Sequence, residues 1–193
     1  VPVMLLPLFA AQAADLNKKT KAAPAVSLTP VASLLTAGQQ TLNWLFRYRL
    51  ETVDQDGLPE DAFASTLLSR LTVLQGITDQ LSAGVEFDYV AQLGDSSFNN
   101  SLNGKTQYPL IADPAGSDLN QAYVLYQQPG YQLKVGRQKL ALGNERFVGS
   151  VGWRQNEQTF DAIRYQTKLG NHLKLDYSFS NRVNRVFGSK STQ

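Results

Sequence analysis

The sequence contains no cysteine and a single histidine, His172. Without cysteine there is neither a disulfide framework nor a thiolate metal site, and one histidine alone cannot build a zinc site. No stretch of about 18 consecutive apolar residues occurs, so the sequence predicts no transmembrane helix. The formal net charge is only +2, which gives no indication of nucleic-acid binding. We therefore expect no metal, no cofactor and no nucleic-acid partner.

The first residues predict an exported protein. The apolar run at 1–11 is too short to cross a membrane as a helix, and Ala-Gln-Ala follows at 11–13, which is typical of a signal-peptide cleavage site. We interpret residues 1–13 as a signal peptide with a truncated basic region. Residues 14–40, rich in Ala, Lys, Thr and Pro, are predicted to be a periplasmic linker. A buried strand or an N-terminal helix is the alternative interpretation of the apolar run.

Beyond residue 40, apolar residues recur at every second position. Leu42, Trp44 and Phe46 alternate with polar or charged residues such as Arg47 and Arg49. Successive side chains of a strand point to opposite faces, so this pattern predicts strands with one apolar and one charged face. Each predicted strand has about ten residues, the length of a tilted membrane strand. The predicted strands are 41–51, 64–74, 80–91, 118–128, 131–141, 157–168 and 171–182.

The connections between these strands separate a membrane barrel from a soluble β-sandwich, which the alternation alone also fits. Long connections at 53–63, 92–117 and 142–156 alternate with short ones near Gly76, Gly130 and Gly170. Outer-membrane barrels have short periplasmic turns and long outer loops. We therefore predict an all-β fold: a transmembrane antiparallel up-and-down β-barrel in the bacterial outer membrane. Because single-chain bacterial barrels have an even number of strands, we expect residues 41–193 to be the N-terminal strands of a partial barrel.

One segment departs from its own period. The apolar positions are odd at Tyr131 and Val135 but even at Leu140 and Leu142. A β-bulge at Gly136 would reset the phase and turn Arg137 toward the charged face, so we predict a bulge there.

Four segments resemble the alginate-export family of outer-membrane porins: FRYRLETVDQDG (46–57), DPAGSDLNQAYVLY (113–126), VGRQKLALGNERFVGSVGWRQNEQTFDAIRY (135–165) and NRVNRVFG (181–188). The resemblance extends from about residue 41 to the C-terminus and matches the N-terminal portion of a family member. It implies a monomeric barrel with more strands than this segment supplies. It also implies passage of an anionic polysaccharide, and it leaves room for periplasmic export partners.

The charged faces of the predicted strands supply the candidate pore lining. Basic residues outnumber acidic ones, which lowers the electrostatic barrier to anions, and the arginine fork suits a carboxylate. The predicted pore-lining residues are Arg47, Arg49, Glu51, Arg70, Glu86, Asp88, Lys134, Arg137, Lys139, Arg164, Lys174 and Asp176. The alternative for each of them is that the charges pair with one another and only keep the lumen wet.

We expect a channel that passes anionic saccharides such as uronate polymers by passive diffusion, with outer-membrane lipid around it. A porin for other small solutes, such as organic acids or neutral sugars, and a surface β protein without a pore are the alternatives. Trp153 and Arg154 lie in a predicted outer loop, which either folds into the pore as a constriction or packs on the rim. An enzyme is not expected, because His172 lies at a turn and has no Gly-x-Ser-x-Gly partner.

Overall fold

The computed structural model describes residues 10–11, 35–94, 96–170 and 173–188, and it consists of one antiparallel sheet. Seven long strands follow a two-residue one: β1 (Ala10–Ala11), β2 (Gln40–Val53), β3 (Ala62–Gly76), β4 (Leu81–Gln92), β5 (Gly116–Gln128), β6 (Tyr131–Gln138), β7 (Thr159–Leu169) and β8 (Leu173–Asn184). The all-β fold and the seven predicted strands are confirmed. In the part of the chain that the structure describes, no helix is long and apolar enough to cross a membrane.

The strands form an up-and-down meander in the order β1-β8-β7-β6-β5-β4-β3-β2. Within the described residues β2 has no neighbour on its outer side, so the sheet does not close on itself. The predicted signal peptide at 1–13 and linker at 14–40 lie largely outside the described residues and stay predictions. Within the predicted signal peptide, the structure describes Ala10 and Ala11, which pair with Asp176 and Leu175 of β8.

The strands divide their side chains between two faces as the alternation requires. The β2–β3 register sets Trp44 opposite Leu71 and Tyr48 opposite Leu67, which places all four on one face. This apolar face is open: Trp44 is 59% exposed. The other, polar face carries charged side chains and is largely covered, with Arg70 only 6% exposed.

The predicted alternation of connections is confirmed. Long loops at 54–61, 93–115 and 139–158 all leave one end of the sheet, here called the long-loop end. Short connections at 77–80, 129–130 and 170–172 leave the opposite, short-turn end.

Two of the long loops fold back over the polar face and bury small apolar clusters there. Loop 93–115 packs Phe98 and Ile111 against Ala62 and Ala64 of β3. Loop 139–158 begins with Leu140, which packs with neighbours from β7 and β8. The polar face at the long-loop end is therefore covered by the protein's own loops.

The predicted bulge at Gly136 is wrong. The pairing of β6 runs unbroken through Gly136, with Tyr123 on one side and Ala162 on the other. The apparent change of phase arises because β6 ends at Gln138, so that Leu140 belongs to the loop. The register shifts instead lie between β4 and β5 and between β7 and β8.

Without a bulge, Arg137 shares the parity of Val135, and the expectation that it lines the polar face is also wrong. Arg137 lies on the apolar face directly opposite Asp161, and its Nε lies 2.7 Å from Asp161 Oδ1. This ion pair reduces the cost of a charge on a face that we predict to contact lipid. Gly136 is required for another reason: its φ is +119°, and a Cβ there would lie 2.3 Å from the carbonyl oxygen of Ala122.

Candidate functional site: the polar face and its inward loop

Loop 139–158 is fixed to the polar face by Arg47 of β2. The Arg47 guanidinium donates hydrogen bonds to the carbonyl oxygen of Gly152 (2.8 Å), to Gln155 Oε1 (3.0 Å) and to the carbonyl oxygen of Arg154. Gln155 is fully buried, and its Nε2 donates to Thr66 Oγ1 of β3 at 2.9 Å. The loop therefore lies against the polar face of the sheet with Arg47, a predicted pore-lining residue, as its anchor; that it forms a constriction of the pore stays a prediction.

The constriction candidates Trp153 and Arg154 both lie over β2. The guanidinium carbons of Arg154 and Arg49 lie 4.1 Å and 4.9 Å from the centre of the Trp153 ring. Arg154 Nη1 lies 2.9 Å from Glu51 Oε2 and 3.5 Å from an oxygen of Asp113. This corner of the polar face therefore combines two arginines, two carboxylates and an exposed indole.

An ion cluster lies in the middle of the polar face. It comprises Arg70, Glu86, Asp88, Lys139 and Glu157. Arg70 makes a bidentate pair with Asp88 (2.6 and 2.7 Å) and contacts Glu157 Oε1 at 2.8 Å. Lys139 contacts Glu157 and lies 3.4 Å from Glu86 Oε1. Two cations and three carboxylates thus pair with one another under the loop, with one carboxylate in excess, and four of the five residues, all but Glu157, belong to the predicted pore lining.

Glu157 connects this cluster to the loop. Burial alone would raise the pKa of its carboxyl, but the positive charges of Lys139 and Arg70 outweigh burial, so the pKa of Glu157 is lowered. The carboxylate therefore stays ionised and holds the loop to the wall at neutral pH.

The short-turn end of the polar face is charged differently. Arg164 of β7 pairs with Asp176 of β8 at 2.5 Å. Lys134 lies 3.5 Å from the centre of the Tyr123 ring and is only 9% exposed. Lys134 makes no salt bridge with any described residue.

Two exposed lysines complete this end. Lys168 and Lys174 are direct cross-strand partners on β7 and β8. Neither forms a salt bridge within the described ranges. Like charges directly opposite each other are destabilising unless a counter-charge approaches.

Several contributors were missed from the sequence. Gln155 and Asp113 lie in loops, where no period marks their direction. Glu157 was placed in the predicted strand 157–168 but lies in the loop just before β7, and Lys168 was passed over although it alternates correctly with the apolar residues of β7. Lys139 was assigned to a strand but lies just beyond β6, and its ammonium still reaches the polar face. Among the described residues, no group of three His, Asp or Glu side chains could hold a metal ion.

No curated protein and no solved structure matches the chain. The model of the family described as "Alginate export" matches residues 39–181, which run from the residue before β2 into β8. Family members are outer-membrane transport channels rather than enzymes. The match includes the seven-strand meander, its loop-covered polar face and its open apolar face. The chain belongs to the alginate-export family of outer-membrane channels.

Proposed function

We propose that the protein passes anionic saccharides such as uronate polymers across the outer membrane by passive diffusion. The polar face forms part of the wall of a monomeric barrel, and the apolar face contacts lipid. Export through a cleaved signal peptide brings the chain to that membrane. The observation that carries the choice of an anionic cargo is the set of lysines without a carboxylate partner among the described residues.

The charges of the wall are distributed unevenly along it. Toward the long-loop end, Arg47 is held by loop carbonyls, and Arg49 and Arg70 are held by carboxylates. For these residues the alternative of mutual charge pairing applies, and they support the wall more than they attract cargo. Toward the short-turn end, Lys168 and Lys174 are exposed and unneutralised within the described residues.

Uncompensated positive charge lowers the electrostatic barrier for an anion and raises that for a cation. The short-turn end is the periplasmic end of a barrel oriented in the usual way. An anionic chain that arrives from the periplasm therefore first meets Lys168 and Lys174, while the ion cluster further along, in which carboxylates outnumber cations by one, does not trap it.

Flux into vesicles tests this proposal. The full-length protein is reconstituted into liposomes, and entry of a short oligouronate is compared with entry of a neutral oligosaccharide of equal length. We expect faster flux of the oligouronate, and a several-fold smaller preference in the double variant Lys168→Gln/Lys174→Gln. Lys105→Gln/Arg185→Gln removes the same charge from loop positions and serves as the control.

Each other outcome identifies a competing function. Equal flux of both sugars, unchanged in the lysine variant, indicates a porin for general small solutes. Flux of neither sugar, from protein shown to be inserted and folded, indicates a β protein without a pore.

A further inference from the structure

Loop 139–158 carries a pocket that the channel proposal does not use. Phe147 and Trp153 both line it, together with Glu145, Arg146 and Gln158, and its volume is about 560 Å³. Phe147 is 89% exposed and Trp153 is 58% exposed. Burying an aromatic side chain is strongly favourable, so two open rings on one pocket indicate a surface for a ligand.

The pocket is rigidly built. The Glu145 carboxylate accepts hydrogen bonds from the backbone N–H (3.0 Å) and the hydroxyl (3.2 Å) of Ser150. The backbone N–H of Gln158 donates to the Ser150 carbonyl at 2.7 Å, and its side chain donates to the carbonyl of Gly149 at 3.0 Å. These bonds close the loop on itself, so a ligand would meet a surface that is already ordered.

The backbone of this loop is also strained. Val151 has φ of +51° and Glu145 has φ of +60°. A β-branched residue rarely adopts this left-handed conformation, and such strain concentrates at binding sites because the surrounding contacts must enforce it. Both strained residues line the pocket.

Positive charge accompanies both rings. The guanidinium of Arg146 lies 5.9 Å from the centre of the Phe147 ring, and Arg154 and Arg49 lie against Trp153. Arg146 makes no salt bridge with any described residue. An aromatic ring offers a flat apolar surface to the C–H face of a pyranose, and a guanidinium offers a bidentate partner to a carboxylate.

We propose that this pocket binds an acidic sugar residue, a uronate, which stacks on Trp153 and Phe147 and pairs its carboxylate with Arg146. This inference rests on the proposed function for the choice of ligand class. The pocket holds one sugar unit of the passing chain at the long-loop end, on a loop that Arg47 and Glu157 fix to the wall.

Calorimetric titration of the full-length protein in detergent with a defined oligouronate tests the site. We expect Trp153→Ala and Phe147→Ala each to weaken binding by about tenfold, and Trp153→Phe to retain most of the affinity because the ring is kept. Leu102→Ala, which truncates an exposed apolar residue on loop 93–115, is the control and should bind as the natural protein does. Arg146→Gln should weaken the oligouronate but not a neutral oligosaccharide.

Unchanged oligouronate affinity in both alanine variants would overturn the proposal that the sugar binds in this pocket. Equal affinity for a neutral oligosaccharide overturns the assignment to an acidic sugar. Flux measured on the same preparations separates the two proposals: flux of oligouronate without ring-dependent binding removes the pocket and leaves the channel, whereas ring-dependent binding without flux removes the channel and leaves the pocket.

Discussion

Replacing Glu157 with glutamine should loosen loop 139–158 from the sheet. Its carboxylate contacts Arg70 at 2.8 Å and also contacts Lys139, and its side chain is 7% exposed. In the variant, Arg70 still pairs with Asp88 and Lys139 still pairs with Glu86, so neither cation is left without a carboxylate partner. The loss is therefore smaller than the several kcal/mol that follow when one member of an isolated buried pair is removed.

The magnitude follows from the two contacts of the carboxylate. Arg70 contacts Oε1 and Lys139 contacts Oε2, and glutamine keeps one of these oxygens but puts NH2, a donor, in place of the other. A hydrogen bond to a charged group contributes about 1.5–3 kcal/mol and one between neutral groups about 0.5–1.5 kcal/mol, so the contact with the remaining oxygen loses about 1 kcal/mol and the other contact is lost. The sum is at least about 2 kcal/mol, which corresponds to at least about a 30-fold rise in the population of the detached loop.

Amide hydrogen exchange of the full-length protein in lipid nanodiscs measures that population. Peptides that cover 150–158 should exchange at least about 30-fold faster in Glu157→Gln, while peptides from β3 and β4 keep their rates. Glu60→Gln changes a carboxylate in the exposed loop 54–61 and is the matched control. A change of less than threefold at 150–158 in Glu157→Gln would show that the ion cluster does not hold the loop.

Three further predictions concern pH, backbone and charge. Because the pKa of Glu157 is lowered, its stabilising contribution is complete above the ordinary glutamate range and is lost as pH falls through the lowered pKa. The protection of 150–158, that is, the intrinsic exchange rate at each pH divided by the measured rate, should therefore stay constant near neutral pH and fall only in acid. A loss of protection near pH 7 would contradict this. Gly136→Ala should lower the free energy of unfolding by urea, measured in lipid vesicles, by more than the roughly 1–3 kcal/mol of backbone strain, because the new Cβ meets a neighbouring carbonyl. Gly130→Ala is the control: Gly130 has positive φ but open space around it, so this variant should cost only the strain. Equal losses in the two variants would refute the close approach at Gly136. Arg137→Leu should lower the free energy of unfolding in the same assay by about 2 kcal/mol, because the Asp161 carboxylate loses its partner. Adding Asp161→Leu should restore most of that loss. A double variant as unstable as the single one would show that the two residues are not coupled.

The strands were predictable from the sequence because each alternates over its whole length. The period of two alone predicts which face each side chain of β2 occupies, without any distant contact: Trp44 and Phe46 lie on one face and Arg47 and Arg49 on the other. The alternation of long and short connections then gave the meander. The wrong bulge at Gly136 came from extending β6 to residue 141, because Leu140 is buried for a different reason, namely packing under the loop. The register shifts between β4 and β5 and between β7 and β8 left no sign in the alternation.

The arrangement of the site was not predictable in the same way. Arg47 and Gln155 lie 108 residues apart, and no period relates a strand residue to a loop residue that folds back on it. The sequence identified most charged residues of the polar face but left open, for each of them, whether it faces cargo or pairs with another charge. Their partners, such as Glu157, decide which charges remain uncompensated, and this required the three-dimensional structure.

The proposed preference of the channel for anions is tested most directly by the reversal potential of single channels. The full-length protein is inserted into a planar bilayer under a salt gradient. We expect discrete channel events with a reversal potential displaced toward the equilibrium potential of the anion, and a smaller displacement in Lys168→Gln/Lys174→Gln. A reversal potential on the cation side, or the absence of channel events from folded protein, would contradict it.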